Sequence, residues 1–139
     1  MSSTARIGDV FLSSKCIFHS RRIPANTIQA YEEYGFGHFR SPPLAGLAQR
    51  CSLKMGVVGT SDSLDATPLE MEIMQAEGVA VKEMEAAAVA WVCEQLRTPF
   101  FALKSITDIV DGAHFVHSMD VAVAPISISS DSSDDDDQL

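Results

Sequence analysis

The segment GDVFLSSKCIFHS, residues 8–20, sets two apolar clusters on either side of a polar Ser-Ser-Lys. That spacing predicts one long β-strand or two short ones, with Val10, Phe11, Leu12, Cys16, Ile17 and Phe18 as core candidates. LKMGVVGTSD, residues 53–62, is a compact apolar run ending in polar residues, as a buried strand reads. Gly78-Val79-Ala80-Val81 is small, apolar and partly β-branched, and predicts a strand over 78–84. From Ala86 the residues become good helix formers, with Val89, Cys93 and Leu96 at helical spacing, so a helix is expected over 86–97. PFFALKSITDIVDG, residues 99–112, then reads as a strand running into a carboxylate-bearing turn.

Helix ends are most explicit in TPLEMEIMQAEG, residues 67–78. Thr67 is the expected N-cap, Pro68 suits the first helical position, and Glu70 completes a capping box. Leu69 and Ile73 share a face, and Gly78 suits the residue just past the helix. PPLAGLAQR predicts a short helix. Residues 21–43 mix Gly, Pro, aromatic and charged residues without a period. An excursion of that length is functional or interfacial when it is ordered. Strands alternate with helices, which makes the class α/β, and no internal repeat is visible.

The chain has 139 residues, 46% of them hydrophobic, enough for one domain with a real core. No apolar stretch reaches membrane-span length, and the N-terminus lacks the basic and apolar regions of a signal peptide. A soluble, cytoplasmic protein is therefore expected. Cys16, Cys51 and Cys93 are odd in number, widely spaced and set in apolar contexts, which predicts reduced core cysteines rather than a disulfide framework or zinc site. Of the net charge of −9, Asp131 and the four aspartates 134–137 supply −5 and leave −4 for the rest. Such a body has no electrostatic footprint for nucleic acid. SSDSSDDDDQL reads as a disordered, self-repelling tail. His114 and His117 lack a third ligand and predict no metal site.

Two predicted strand ends concentrate the chemistry: Glu83-Met84-Glu85 and Thr107-Asp108. One helix and one strand separate Glu85 from Asp108, the length of a βαβ unit. A right-handed crossover would make the two strands parallel, with both carboxyl ends on one edge, where α/β sheets bind ligands. A carboxylate partly buried there beside a like charge is favoured in the protonated form that a general acid needs. The competing reading is structural: Glu85 caps the helix at 86–97, and Asp108 or Asp111 caps a following turn. Residue types and spacing leave both readings open.

The residues themselves add more. KEMEAAAVAWVCEQLRTPFFALKSITDIVDG resembles the plant methylthioadenosine nucleosidases, within the purine nucleoside phosphorylase-like family. Those enzymes carry a Met-Glu-small-Ala-Ala-Val-Ala segment and then a strand ending Thr-Asp-Ile-Val-Asp-Gly. Met84-Glu85 and Thr107-Asp108 match at the proper spacing. IGDVFLSSKCIFHSRRIP and GTSDSLDATP look like the same family's central strands, so the resemblance covers roughly residues 5–112.

The resemblance implies a three-layer α/β fold whose mixed central sheet is flanked by helices. It places a partial nucleosidase-like domain at residues 1–112 and a divergent segment at 113–139. The implied reaction is hydrolysis of 5′-methylthioadenosine to adenine and methylthioribose, within methionine salvage, without a metal or organic cofactor. Asp108 would protonate adenine at N7. Glu85 would accept hydrogen bonds from the ribose hydroxyls, Met84 would pack on the sugar, and Thr107 belongs to the same substrate-binding set. Leu64 and Asp65 would lie beside the purine, and Glu83 would be a solvated neighbour. The implied partners are a small adenine nucleoside and, where the fold is intact, a second copy in a homodimer, with no nucleic acid and no membrane. The family's N-terminal half supplies further strands and a water-activating glutamate that no residue here matches. The resemblance therefore also admits a catalytically impaired fragment that binds adenine nucleosides or pairs with a full-length subunit. Ser20 stands where the family commonly has an aspartate, and His19 reads as structural or as ligand-contacting.

Overall fold

Residues 5–21 and 37–109 are described by a computed structural model. The run at 8–20 forms one long strand, β1 (Val10–Phe18). It is followed by β2 (Gly37–Arg40), α1 (Ala45–Arg50), β3 (Lys54–Thr60), α2 (Pro68–Ala76), β4 (Val79–Glu83), α3 (Ala86–Gln95) and β5 (Leu103–Ser105). The strands form one mixed sheet. β3 runs parallel to β1, β4 parallel to β3, and β2 and β5 pair antiparallel with β1. Helices flank the sheet: α3 packs across β1, β2 and β3, α2 against β4, and α1 against β3. No helix among the described residues is long and apolar enough to cross a membrane.

The crossover expected between β4 and β5 is corrected here. β5 is antiparallel to β1, and both β1 and β3 lie between it and β4. Arg97, at φ +52, ends α3 with a left-handed residue, and the chain then returns along the free edge of β1 at Val10–Leu12. Pairing there satisfies backbone groups that an unpaired edge would leave open. The register of β1 against β3 shifts between Ser13 and Lys15, and irregular pairing of this kind adds twist. The sheet curls enough for Lys104 on β5 to reach Glu83 at the end of β4, 2.7 Å away.

The core joins one side of the sheet to the alanines of α3. Phe11, Cys16, Phe39, Val58, Val81, Ala86, Ala87, Ala90, Ala102 and Ile106 form its buried cluster. The expected core face of α3 is thus turned: Val89 and Leu96 are 46% and 70% exposed, while the alanines face inward. A methyl group lets the helix approach the sheet more closely than a branched side chain would. The capping box of α2 forms as expected, and Gly78 takes φ +66 just beyond that helix. Leu69, however, faces solvent, and Glu70 and Met74 supply the buried face. Glu70 turns inward because its carboxylate accepts from the Thr67 amide and hydroxyl. All three cysteines are free thiols, but only Cys16 is buried; Cys51 is exposed and Cys93 half-buried.

Gly59 in β3 has no room for a side chain. A Cβ there would lie 2.8 Å from the His19 ring nitrogen and 2.9 Å from a Val79 methyl. Gly59→Ala is expected to destabilise the fold by about 1–3 kcal/mol, the usual cost of overpacking. A lowered denaturation midpoint checks it; an unchanged midpoint would mean that the ring moves aside freely.

Candidate functional site

At the end of β4 the chain turns through Met84 and Glu85 into α3, and Glu83 organises that turn. Its carboxylate accepts from the amides of Glu85 (3.0 Å) and Ala86 (2.9 and 2.8 Å), from the Thr60 hydroxyl, and from the Lys104 ammonium. Its side chain is only 9% exposed. Burial disfavours the ionised form, but the ammonium, hydroxyl and amides outweigh it and hold the carboxyl below the usual glutamate range. Glu83 is therefore not the solvated neighbour expected from sequence. It also takes the capping role weighed for Glu85, which stands at the N-cap position without a side-chain capping bond.

Around this turn lies a concavity of about 280 Å³. Leu64, Met84, Glu85, Thr107 and Asp108 all border it, together with Lys82, Glu83 and Lys104. Five of the six residues singled out from sequence thus meet around one space. Asp65 is exposed and is not among the lining residues. Glu85 and Asp108 share the space because the sheet curls, with Asp108 just past the carboxyl end of β5 and Glu85 just past that of β4.

Each wall has its own support. Lys82 donates to the carbonyls of Ser63 (2.6 Å) and Leu64 (3.0 Å), and the Ser61 hydroxyl donates to the same Ser63 carbonyl. The turn carrying Leu64 is thereby tied to β4. Lys104 lies 3.5 Å from the Glu85 carboxylate as well as 2.7 Å from Glu83. Burial alone would lower its pKa, but the two glutamates outweigh that and raise it, so the ammonium stays charged. The Thr107 hydroxyl donates to Asp108 Oδ1 at 2.7 Å and leaves Oδ2 outside that bond. The arrangement offers an exposed carboxylate for hydroxyl groups, a thioether beside it, and a half-buried carboxyl positioned by its neighbour.

Lys82 and Lys104 escaped the sequence reading, and Glu83 was read there only as a solvated neighbour. A signal for Lys104 was present: it stands between Ala102 and Ile106 on one face of a strand, and both of those neighbours are buried. A lysine in such a row needs an anionic partner.

A second, larger concavity of about 760 Å³ meets the first at Met84. Phe18, Trp91, Ser20, Thr60 and Ser61 are among its lining residues. His19, next to Phe18, is fully buried, and neither ring nitrogen has a hydrogen-bond partner among the described residues. Its burial fits the structural reading. His114, His117, Asp111 and the acidic tail lie outside the described residues.

Comparison with known proteins places this geometry in context. The sequence profile of the phosphorylase superfamily matches residues 1–133. The 5′-methylthioadenosine nucleosidase of Arabidopsis thaliana is 42% identical over 108 residues, covering 78% of this chain and 39% of that enzyme. The 5′-methylthioadenosine/S-adenosylhomocysteine nucleosidase of the same plant is 40% identical, covering 78% and 41%. The apo structure of Arabidopsis thaliana 5′-methylthioadenosine nucleosidase superposes with a TM-score of 0.72 at 41% identity, covering 79% of this chain and 44% of that one. The chain spans about two fifths of the length of the curated relatives it matches.

Proposed function

Because the chain belongs to the phosphorylase superfamily, we propose that its smaller concavity is the nucleoside-holding and proton-donating side of a 5′-methylthioadenosine nucleosidase site. The reaction is hydrolysis of the N-glycosidic bond to adenine and methylthioribose. Convergence of Met84, Glu85, Thr107 and Asp108 on one space carries this reading.

Asp108 delivers a proton to N7 from Oδ2, so that adenine leaves as a neutral base. Glu85 accepts from the ribose hydroxyls. As the glycosidic bond breaks, the sugar becomes cationic, and the same carboxylate then stabilises the transition state more than the ground state. Met84 packs on the sugar, and Leu64 borders the purine. In the longer relatives the resemblance assigns activation of the attacking water to a glutamate of the N-terminal half. The relatives' names, which specify 5′-methylthioadenosine, support the substrate. We further propose a cytoplasmic homodimer, an assembly supported by the exposed apolar stripe of Val89, Val92 and Leu96 on α3.

Titration of 5′-methylthioadenosine into the 139-residue chain tests the reading. Saturable binding that falls on Glu85→Gln supports it, and a wild-type chain that binds no adenine nucleoside defeats it.

A further inference from the structure

Three carboxylates, Glu83, Glu85 and Asp108, border one concavity of about 280 Å³ with two lysines. Like charges so close must be separated by a cation or lose their charge. Lys82 is committed to the Ser63 and Leu64 carbonyls. Lys104 is the ammonium that reaches both glutamates, at 2.7 and 3.5 Å. Glu83, for its part, has both oxygens occupied by protein donors. Oε1 accepts from Thr60 and Ala86, and Oε2 accepts from Glu85, Ala86 and Lys104. It has nothing left to offer a substrate. Glu85 is the opposite case, with a side chain 68% exposed and no capping bond.

We propose that Glu83 and Lys104 form a positioning pair for the ribose-binding carboxylate. Glu83 fixes the backbone of Glu85 through its amide, and Lys104, gripped by Glu83, sets the direction of the Glu85 side chain. The inference rests on the ribose-holding role assigned to Glu85. Two separate features of the fold make the pair possible. Thr60 at the end of β3 bonds Glu83 and also accepts from the Ala87 amide at 2.8 Å, which locks β3, β4 and the first turn of α3 together. Curling of the sheet delivers Lys104 from β5 to that locked corner. Neither glutamate could reach Lys104 in a flat sheet with this strand order.

Glu85 serves the ribose and not the base, so damage to its positioning separates two probes. In the 139-residue chain, Lys104→Met is expected to weaken binding of 5′-methylthioadenosine about tenfold while free adenine binds within about twofold of wild type. Lys104→Arg, which keeps the charge and reach, should restore most of the loss. In a Glu85→Gln background, Lys104→Met should cost less than about twofold, because coupled residues are not additive. Equal loss for both probes, no rescue by arginine, or full additivity overturns the proposal. If the wild-type chain binds neither probe, the functional reading fails separately. Amide hydrogen exchange then decides the backbone part. Glu83→Gln should speed exchange at Glu85 and Ala86 by about tenfold or more, and unchanged rates there overturn it.

Discussion

In a chain completed by grafting on the N-terminal half of a full-length relative, which supplies the water-activating glutamate, Asp108→Asn is expected to lower adenine release from 5′-methylthioadenosine by about 10²–10⁴-fold, the usual contribution of a general acid. Asparagine is nearly isosteric and still hydrogen-bonds the purine, but it cannot deliver a proton to N7. Nucleoside binding should therefore stay within a few-fold of wild type. Glu85→Gln should differ in kind. The lost charge serves the hydroxyls in the ground state and the cationic sugar later, so both KM and kcat suffer. Single-turnover adenine release with protein in excess, run beside binding titrations, separates the two patterns. Near-full kcat in Asp108→Asn would move the acid elsewhere, with Asp111 the first alternative, and would return Asp108 to a structural role in its turn.

The second large effect concerns His19 and pH. Its ring is fully buried, with no partner for either nitrogen among the described residues. Burial pushes its pKa below the ordinary histidine range and the Lys82 charge adds to this, while Glu70 and Glu83 pull the other way. The folded state thus binds the proton less well than the unfolded state, whose histidine titrates near 6.5. As pH falls through about 6.5 toward the lower folded value, the unfolded chain gains protons first, and stability drops. Above that window the ring is neutral in both states and the effect vanishes. His19→Leu should flatten the dependence between about pH 7.5 and 5.5. It should also raise stability at the upper end by about 1–3 kcal/mol, the cost of leaving buried polar atoms unpaired. Thermal midpoints of the two proteins that fall in parallel with pH would show that another group governs acid sensitivity.

The α/β class, the positions of β1, β3, β4 and β5 and the capped ends of α2 were legible along the chain, because periodicity and end signals are local; β2 was not, because Gly37–Arg40 lies in a stretch without a period. Thr67, Pro68, Glu70 and Gly78 act on neighbours a few residues away, and the structure shows them where local rules put them. Met84-Glu85 and Thr107-Asp108 were likewise legible as a matched pair of motifs. How they meet was not. A right-handed crossover was the reasonable local inference, yet β5 lies antiparallel against β1, since that edge needed pairing and no local signal reports which edge stays free. The inward face of α3 also depended on what it met: three alanines allowed close approach to the sheet, and the bulkier valines and leucine turned outward. Above all, Glu83 and Glu85 are identical in type and only two positions apart but opposite in circumstance. Sequence determined that two carboxylates flank Met84 at the end of a strand. Only the tertiary structure decided which one is consumed by amides, a hydroxyl and a lysine, because the donors Thr60 and Lys104 lie 23 and 21 residues away along the chain and are brought to that corner by the curl of the sheet.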